Sequence, residues 1–403
     1  MKLWPKVRIG EILKQIERPE AVDASSEYRL LGVRWYGQGL FVKDVKNGQQ
    51  IIASRLYRIQ DGDFVYNRLF AWKGSFAVAD SEFDGCYVSN EFPCFQPDRS
   101  RLETNFLLWF SRREGMWEEA LGLSTGATPT SRNRLKEAHF LNLEIPLPPL
   151  QEQQRIVARI EELSSLINEA RTLRRQAVKE AEALISSTRR KEIGNQSLSD
   201  WIPLSRIVSE IENGKSPQCE SRAALENEWG VLKVGAVSFG NFNPHENKAW
   251  PSAQPYSAHD EVHPGDFLMS RANTTELVGA CAIVGQTRPK LLLSDKIFRF
   301  HFHDQSAVIL QWLDHVMKSP ALRDQIERAA SGTSPTMKNI SKEKTLNLLI
   351  PPHSISKQRQ IISHLNRLQA EMNSMKHLQS DTAEEIDAML PAILDRAFKG
   401  ELI

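Results

Sequence analysis

The stretch that most limits what this chain can become runs from Leu147 to about Glu192. It opens Leu147-Pro-Pro-Leu-Gln-Glu-Gln-Gln-Arg-Ile156, and after Pro149 no proline or glycine follows before Gly194. The paired prolines cannot continue a helix. Beyond them apolar or small residues recur at Ile156, Ile160, Leu163, Ile167, Ala170, Ala177, Ala181 and Leu184. The steps are four and three, and Arg174 fills one seam position. This heptad pattern marks a helix packed lengthwise on another. About 42 residues at ~1.5 Å each give a rod of roughly 63 Å. Such a rod needs a partner, because alone it leaves its apolar stripe in water.

The partner lies in the same chain. Moving each seam position on by 205 gives Ile361, Leu365, Leu368, Met372, Met375, Thr382, Ile386 and Met389, and moves Arg174 onto Gln379. Helix pairing is therefore expected from Ile156, Ile160, Leu163 and Ile167 on one side. Leu365, Leu368, Met372 and Met375 answer on the other, the methionines as adaptable gap-fillers. Leu-Asn-Leu stands at 141–143 and again at 346–348, Ile-Pro at 145–146 and 350–351, and Gln153 answers Gln358. The chain is a duplicated unit of globular block plus long helix.

The blocks repeat each other too. Trp4 and Val7-Arg-Ile-Gly-Glu-Ile-Leu13 open the first with a short helical pattern; Trp201 and Leu204-Ser-Arg-Ile-Val208 open the second. Gly62-Asp-Phe64 is matched by Gly265-Asp-Phe267 at an offset of 203, and Gly74 and Ser89 by Gly279 and Ser294 at 205. Short strand-like runs broken by glycine surround these landmarks. One amphipathic helix follows in each, Asn105–Leu121 and Ser306–Ala329, then a polar loop and a last strand before the proline step. The expected fold is α+β. Two similar strand-rich α/β globular domains are separated by a pair of long antiparallel coiled-coil helices, with an internal pseudo-two-fold repeat. The boundaries fall at 1–146, 147–194, 195–350 and 351–403. Antiparallel pairing follows from the short connection Gly194–Asp200, which runs directly from the first rod into the second block, at that helix's far end.

With 403 residues, 41% apolar and 25% charged, the chain has room for two or three domains of ordinary globular composition. Net charge is +1, and no block departs from neutrality by more than two charges. A nucleic-acid partner would have to be met by charge clustered in space rather than by bulk charge. The four cysteines are too widely spaced for a Cys-x-x-Cys site and suit free thiols in a reducing cytoplasm. No apolar run approaches the ~18 residues of a membrane span, and the first residues lack the apolar core of a signal peptide.

Catalytic patterns are missing. No Gly-x-x-x-x-Gly-Lys-[Ser/Thr] loop, Asn/Asp-Pro-Pro-aromatic tetrapeptide, Gly-x-Ser-x-Gly elbow or His-Glu-x-x-His helix occurs. His301-Phe-His303-Asp304 offers metal-ligand types. Yet Arg299, His301 and His303 alternate with aromatics as on a strand with one wet face, and the first block has Gln96 and Asp98 there. No metal site and no catalytic residue is therefore expected. Asp63 and Asp266, in their matching turns, fit a structural role.

The loops before the rods carry recognition chemistry. Thr125–Lys136 supplies Thr128, Thr130, Arg132, Asn133, Arg134 and Lys136; Ser331–Lys342 supplies Ser334, Thr336, Lys338, Asn339 and Lys342. Hydroxyls and cations suit phosphates, while asparagine and arginine can read base edges. A helix cap with a solvated charge run would look the same once; its repetition favours function. Arg68 and Arg271 follow the Gly-Asp-Phe strands at equal spacing. Trp72 and Lys73 lie where the offset changes by two, as a variable contact loop does.

Two variable blocks, each followed by a proline step and a long helix, resemble the specificity subunit of type I restriction–modification systems. The residues that carry the resemblance are Ile145-Pro-Leu-Pro-Pro-Leu-Gln-Glu-Gln-Gln-Arg-Ile156, its repeat Ile350-Pro-Pro…Gln358-Arg-Gln-Ile361, and Ala397-Phe-Lys-Gly-Glu-Leu402. The second step departs from the pattern, with Lys357 where Glu152 stands in the first. The resemblance implies a non-catalytic DNA-binding chain whose blocks are target recognition domains, each reading half of a bipartite double-stranded site. It implies helices that set the gap and dock two modification (methyltransferase) subunits. S-adenosylmethionine, and ATP with Mg, would be bound by modification and restriction partners and not by this chain, within a cytoplasmic multisubunit complex. Two rival readings differ in class. One is a single-chain DNA methyltransferase or restriction-enzyme fragment, against which the missing tetrapeptide argues. The other is a coiled-coil protein-interaction scaffold.

Overall fold

The computed structural model describes residues 4–126, 133–194, 198–304, 308–334 and 336–402. The chain divides into two compact units. The first is Met1–Arg174 with Gln379–Ile403; the second is Arg175–Leu378. Both are mixed α/β, and each takes part of both long helical segments.

In the first unit an antiparallel four-stranded sheet has the order Leu13–Ile16, Cys94–Pro97, Phe64–Tyr66, Phe76–Val78. Phe64-Val-Tyr66 is wholly buried, as an apolar central strand must be. One face builds an aromatic core in which Phe140 lies 5.9 Å from Phe64, 4.8 Å from Tyr66 and 5.3 Å from Phe95. A five-stranded sheet, ordered Pro19–Ala21, Arg55–Arg58, Tyr87–Val88, Glu27–Val33, Leu40–Asn47, packs its own smaller core. The second unit repeats the four-stranded sheet as Val208–Asn213, Ile297–Phe302, Phe267–Ser270, Cys281–Ile283. The repeat read from the sequence is a repeat of topology.

Four expected helices differ. Val7–Leu13 is a short strand, a single 3-10 turn and the start of Leu13–Ile16, because Lys6–Arg8 pairs with Glu144–Pro146 and Leu13–Ile16 with Cys94–Pro97. Leu204–Val208 is likewise a 3-10 turn running into a strand. Asn105–Leu121 and Ser306–Ala329 are each broken in two, giving Thr104–Ser111 with Glu114–Leu123, and Leu310–Met317 with Pro320–Ala329. In the second case Ser319 caps a new helix that starts on Pro320, a residue suited to a first turn only.

The first rod is one helix, Leu150–Ile193. Its answer, expected as a single helix, is two, Ile355–Asp381 and Ala383–Phe398, parted at Thr382. Within the first unit the pairing is antiparallel. Arg171 meets Asp387 at 2.6 Å, and Arg174 reaches back to Gln379 and Thr382. The second unit pairs the same way, Glu182 with Lys376 at 2.8 Å and Glu192 with His364. Ile156 and Ile160 join the first unit's core, Ile361 and Leu365 the second's. Leu163, Leu368, Met372 and Met375 are half-buried, and Ile167 is buried. Two seam positions are corrected. Leu184 and Met389 are exposed, and the seam passes instead through Ile185 and Leu390. A straight helix drifts ~20° per heptad from a strict seven-residue repeat, so the stripe moves on by one residue. Among the described residues no helix is long and apolar enough to cross a membrane.

The proline step has a mechanical role. Gln153 is fully buried; its amide donates to the Arg101 and Pro148 carbonyls, both at 2.8 Å, and accepts from Glu103 N–H at 2.9 Å. Gln358 repeats this, donating to the His353 carbonyl and accepting from Ile309 N–H, both at 2.9 Å. A primary amide is the side chain that offers donors and an acceptor together without charge. Each rod is thereby locked to its own block.

Candidate nucleic-acid interface

In both units the Gly-Asp-Phe strand ends at an arginine whose backbone is held from two sides. Arg68 N–H donates to the Glu91 carbonyl and its carbonyl accepts from Leu135 N–H, each at 3.0 Å. Arg271 N–H donates to the Lys296 carbonyl at 2.8 Å and its carbonyl accepts from Ile340 N–H at 3.0 Å. This junction ties the loop before each rod to the sheet. It also fixes equivalences, with Glu91 matching Lys296 and Leu135 matching Ile340. The short helices Glu137–Leu141 and Lys342–Leu346 start two residues later, so Glu137 matches Lys342.

The side chains at these matched positions differ in sign. In the first unit the Arg68 guanidinium is bound by the Glu137 carboxylate and the Asn90 carbonyl, and Arg134 by Glu91 at 2.6 and 3.2 Å. In the second unit lysines replace both acids and Asn339 replaces Arg134. Arg271 donates to the Asp295 carbonyl at 3.2 Å. Among the described residues no ion pair engages Arg271, Lys296, Lys338 or Lys342. Two faces of one origin thus carry different charge.

The second unit's loop is a small sheet. Ser331–Ser334 pairs with Met337–Asn339, and Asn339 and Lys338 pair with Ala272 and Asn273. The Ser334 and Thr336 hydroxyls share a 2.7 Å hydrogen bond, and Lys338 donates to the Gly332 carbonyl at 2.7 Å. Gly332 has φ +142, and a Cβ there would lie 2.4 Å from the Met337 carbonyl oxygen, so the turn requires glycine. Thr336 and Lys342 are exposed. In the first unit Thr125 and Arg134 form a two-way backbone bridge, with Lys136 exposed beyond it. Asn133 corrects the expectation of an outward contact. It is buried at 8% exposure, one residue before the bridge. Thr128, Thr130 and Arg132 lie outside the described residues.

Lys73 belongs to an aromatic surface that the sequence reading missed. Its ammonium lies 3.9 Å from the Trp35 ring centroid and 5.0 Å from that of Trp72. Trp35 and Tyr36 stand at the tip of the Glu27–Val33/Leu40–Asn47 hairpin, 41% and 55% exposed, with Tyr36 at φ +59. Large exposed aromatics beside cations are surfaces on which bases can stack. The signal was Arg34-Trp-Tyr-Gly-Gln-Gly39, two aromatics in a glycine-rich turn. Glu91 and Glu137 were missed because only the fold brings them to arginines.

The His301 strand is also different from expectation. Arg299 is 5% exposed rather than wet, bound to Glu212, to Asp266 at 3.2 Å, and to the His259 and Glu261 carbonyls at 2.6 and 2.7 Å. A guanidinium taken from water needs this many acceptors. His301 lies 3.1 Å from Glu212. Asp63 and Asp266 accept from backbone N–H groups three residues earlier, at 2.9 and 3.0 Å, and each also binds a buried or half-buried arginine. Among the described residues no group of three His, Cys, Asp or Glu side chains is arranged to hold a metal ion.

Comparison with known proteins gives a consistent picture. Residues 1–180 match the type I restriction modification DNA specificity domain. A stretch of 193 residues, 44% of the chain, is 31% identical to the type I restriction enzyme EcoEI specificity subunit of Escherichia coli. A longer stretch, 74% of the chain, is 22% identical to the EcoKI specificity subunit of Escherichia coli strain K12. The matches span 32% and 66% of those relatives. Among solved structures, one concerned with complex assembly and conformational transition of the type I R-M system aligns over 100% of both chains, with TM-score 0.74 and 24% identity. The HsdS subunit from Thermoanaerobacter tengcongensis aligns over 100% of this chain and 98% of its own, with TM-score 0.63 and 23% identity. These two establish likeness of fold.

Proposed function

We propose that this chain, whose residues 1–180 match the type I restriction modification DNA specificity domain, is the sequence-reading subunit of a type I restriction–modification complex. Residues 1–146 and 195–350 act as two target recognition domains, each reading one half of a bipartite double-stranded site. The helices at 147–194 and 351–403 set the gap between the halves and dock two modification subunits. The chain performs no chemistry of its own. S-adenosylmethionine belongs to the modification subunits, and ATP with Mg to the restriction subunits where these join.

The observation that carries this reading is the doubled junction at Arg68 and Arg271. Twice in one chain, a loop of hydroxyls, amides and cations is fastened to the end of the same strand of the same sheet. A binding scaffold for protein alone has no need of matched phosphate-type loops, whereas a reader of two DNA segments needs one per segment. The rods supply the spacing, since a helix rises ~1.5 Å per residue and resists bending when paired.

The test is selection from random duplexes by the chain assembled with its modification subunits. Two short fixed sequences separated by a fixed run of unselected positions are expected. Deleting one heptad from both rods should change that run and leave the fixed sequences alone. Absence of any selected sequence would favour the scaffold, and methylation of DNA by the purified chain alone would favour the single-chain enzyme.

A further inference from the structure

The second unit contains a cavity of about 300 Å³ beside the Arg271 junction. Val231, Leu232 and Val234 contribute apolar lining, and Pro217 and Cys219 close another side. Three lysines also line it, Lys233, Lys248 and Lys296, of which Lys248 and Lys296 are exposed and so stand at the mouth. Lys233 has Glu246 at 3.8 Å; among the described residues no ion pair engages Lys248 or Lys296.

One atom of the lining is unsatisfied. Ser294 is 3% exposed, yet its hydroxyl has no hydrogen-bond partner among the described residues. Buried hydroxyls are ordinarily paired. The matched residue of the first unit, Ser89, accepts from Glu91 N–H at 3.4 Å. The first unit also has an acid, Glu91, where the second has Lys296. The feature therefore belongs to one half of the duplicated chain.

We propose that this cavity takes one nucleotide, its base against the Val231, Leu232 and Val234 wall with an edge on the Ser294 hydroxyl, and its phosphate on Lys248 and Lys296. The volume lies at the small end of ligand cavities and suits a single base with its sugar, not a duplex. A carboxylate side chain would gain nothing from the apolar wall, whereas a base has flat faces to bury and polar edges to pair. The nucleotide is either one extruded from bound DNA or a free mononucleotide. Only the first source rests on the reading of this face as a DNA interface.

Two measurements on the full chain separate the sources. Calorimetric titration with each of the four deoxynucleoside 5′-monophosphates is expected to show one site, with affinity lowered tenfold or more in the Lys248→Gln/Lys296→Gln double variant. Lys46→Gln, in the first unit, should leave it unchanged. In the assembled complex, 2-aminopurine placed in turn along a bound duplex should brighten at one position, and the double variant should abolish that signal. Brightening marks an extruded nucleotide. Monophosphate binding without brightening marks a free one, and if DNA were not selected at all the cavity assignment would survive the failure of the DNA reading. No monophosphate binding and no brightening, with duplex selection intact, would overturn the proposal.

Discussion

Arg174 and Gln379, each at the same seam position of its own repeat, donate side-chain hydrogen bonds to one another's backbone carbonyl. The Gln379 amide reaches the Arg174 carbonyl at 3.2 Å, and the Arg174 guanidinium binds the Gln379 carbonyl and lies 3.5 Å from that of Thr382. In an unbroken helix the Gln379 carbonyl would accept from Ala383 N–H. The guanidinium occupies it instead, and the helix parts at Thr382. A side chain entering the carbonyl ladder is a known cause of such breaks. The pair works as a register pin, since sliding by a turn would strand both donors against apolar seam.

Replacing either partner by alanine should therefore cost more than a surface contact. Each lost cross-helix bond is worth about 1 kcal/mol. A double-mutant cycle of Arg174→Ala and Gln379→Ala should return a coupling on the order of 1–2 kcal/mol in chemical unfolding. A coupling indistinguishable from zero would mean the two residues merely occupy space at the seam.

Gln153 and Gln358 give a second prediction. Removing either amide leaves buried backbone groups unpaired, at roughly 1–3 kcal/mol per group. Gln153→Leu and Gln358→Leu should each lower the melting temperature by roughly 4 °C or more, at about 2–4 °C per kcal/mol for units of this size. Because the two clamps lie in separate cores, their effects should add when the first is combined with the second. Strong non-additivity in differential scanning calorimetry would contradict this independence.

The long helices, their pairing and the duplication were legible because heptad spacing and a constant offset of 205 are properties of the sequence alone. What escaped depends on three-dimensional neighbours. Seam residues Leu184 and Met389 yielded to Ile185 and Leu390 in both repeats, since helix drift is cumulative and short windows do not reveal it. Arg299 read as solvent-facing by alternation, but Glu212 and Asp266 arrive from other strands to receive it. The recognition loops were found as a pattern. Their difference in charge was not, because Glu91 and Glu137 lie 43 and 69 positions from the arginines they bind.

That charge difference makes a third prediction. Each phosphate contact adds about 0.9 to the slope of log affinity against log salt. Glu91→Gln with Glu137→Gln frees Arg134 and Arg68, and should steepen the slope of duplex binding by about 1–2. Lys342→Glu should make it shallower by about 1. Filter binding across a salt series measures both, and parallel lines for all variants would show that neither face touches phosphate.

The fourth prediction concerns pH and the second unit's histidines. Burial holds the His315 imidazole below its ordinary 6.5, with nearby Arg189 and Lys318 acting the same way and Asn366 and Asp314 opposing. Its Nε2 lies 3.0 Å from Asn366 Oδ1, on the helix Ile355–Asp381. Burial also lowers His353, aided by Lys357, where the ring accepts from Trp312 Nε1 at 3.2 Å. With folded-state values below 6.5, the unfolded chain binds protons first as pH falls. Stability rises with pH through this range and is fully present above about 7. The melting temperature should thus fall between pH 7 and pH 5, before the carboxylates titrate. His315→Gln keeps a neutral partner for Asn366 and should flatten much of that fall, and adding His353→Gln should flatten most of the rest. If the double variant kept the full dependence, the proton uptake would belong to other groups. The second unit's docking of rod to block would then be indifferent to pH.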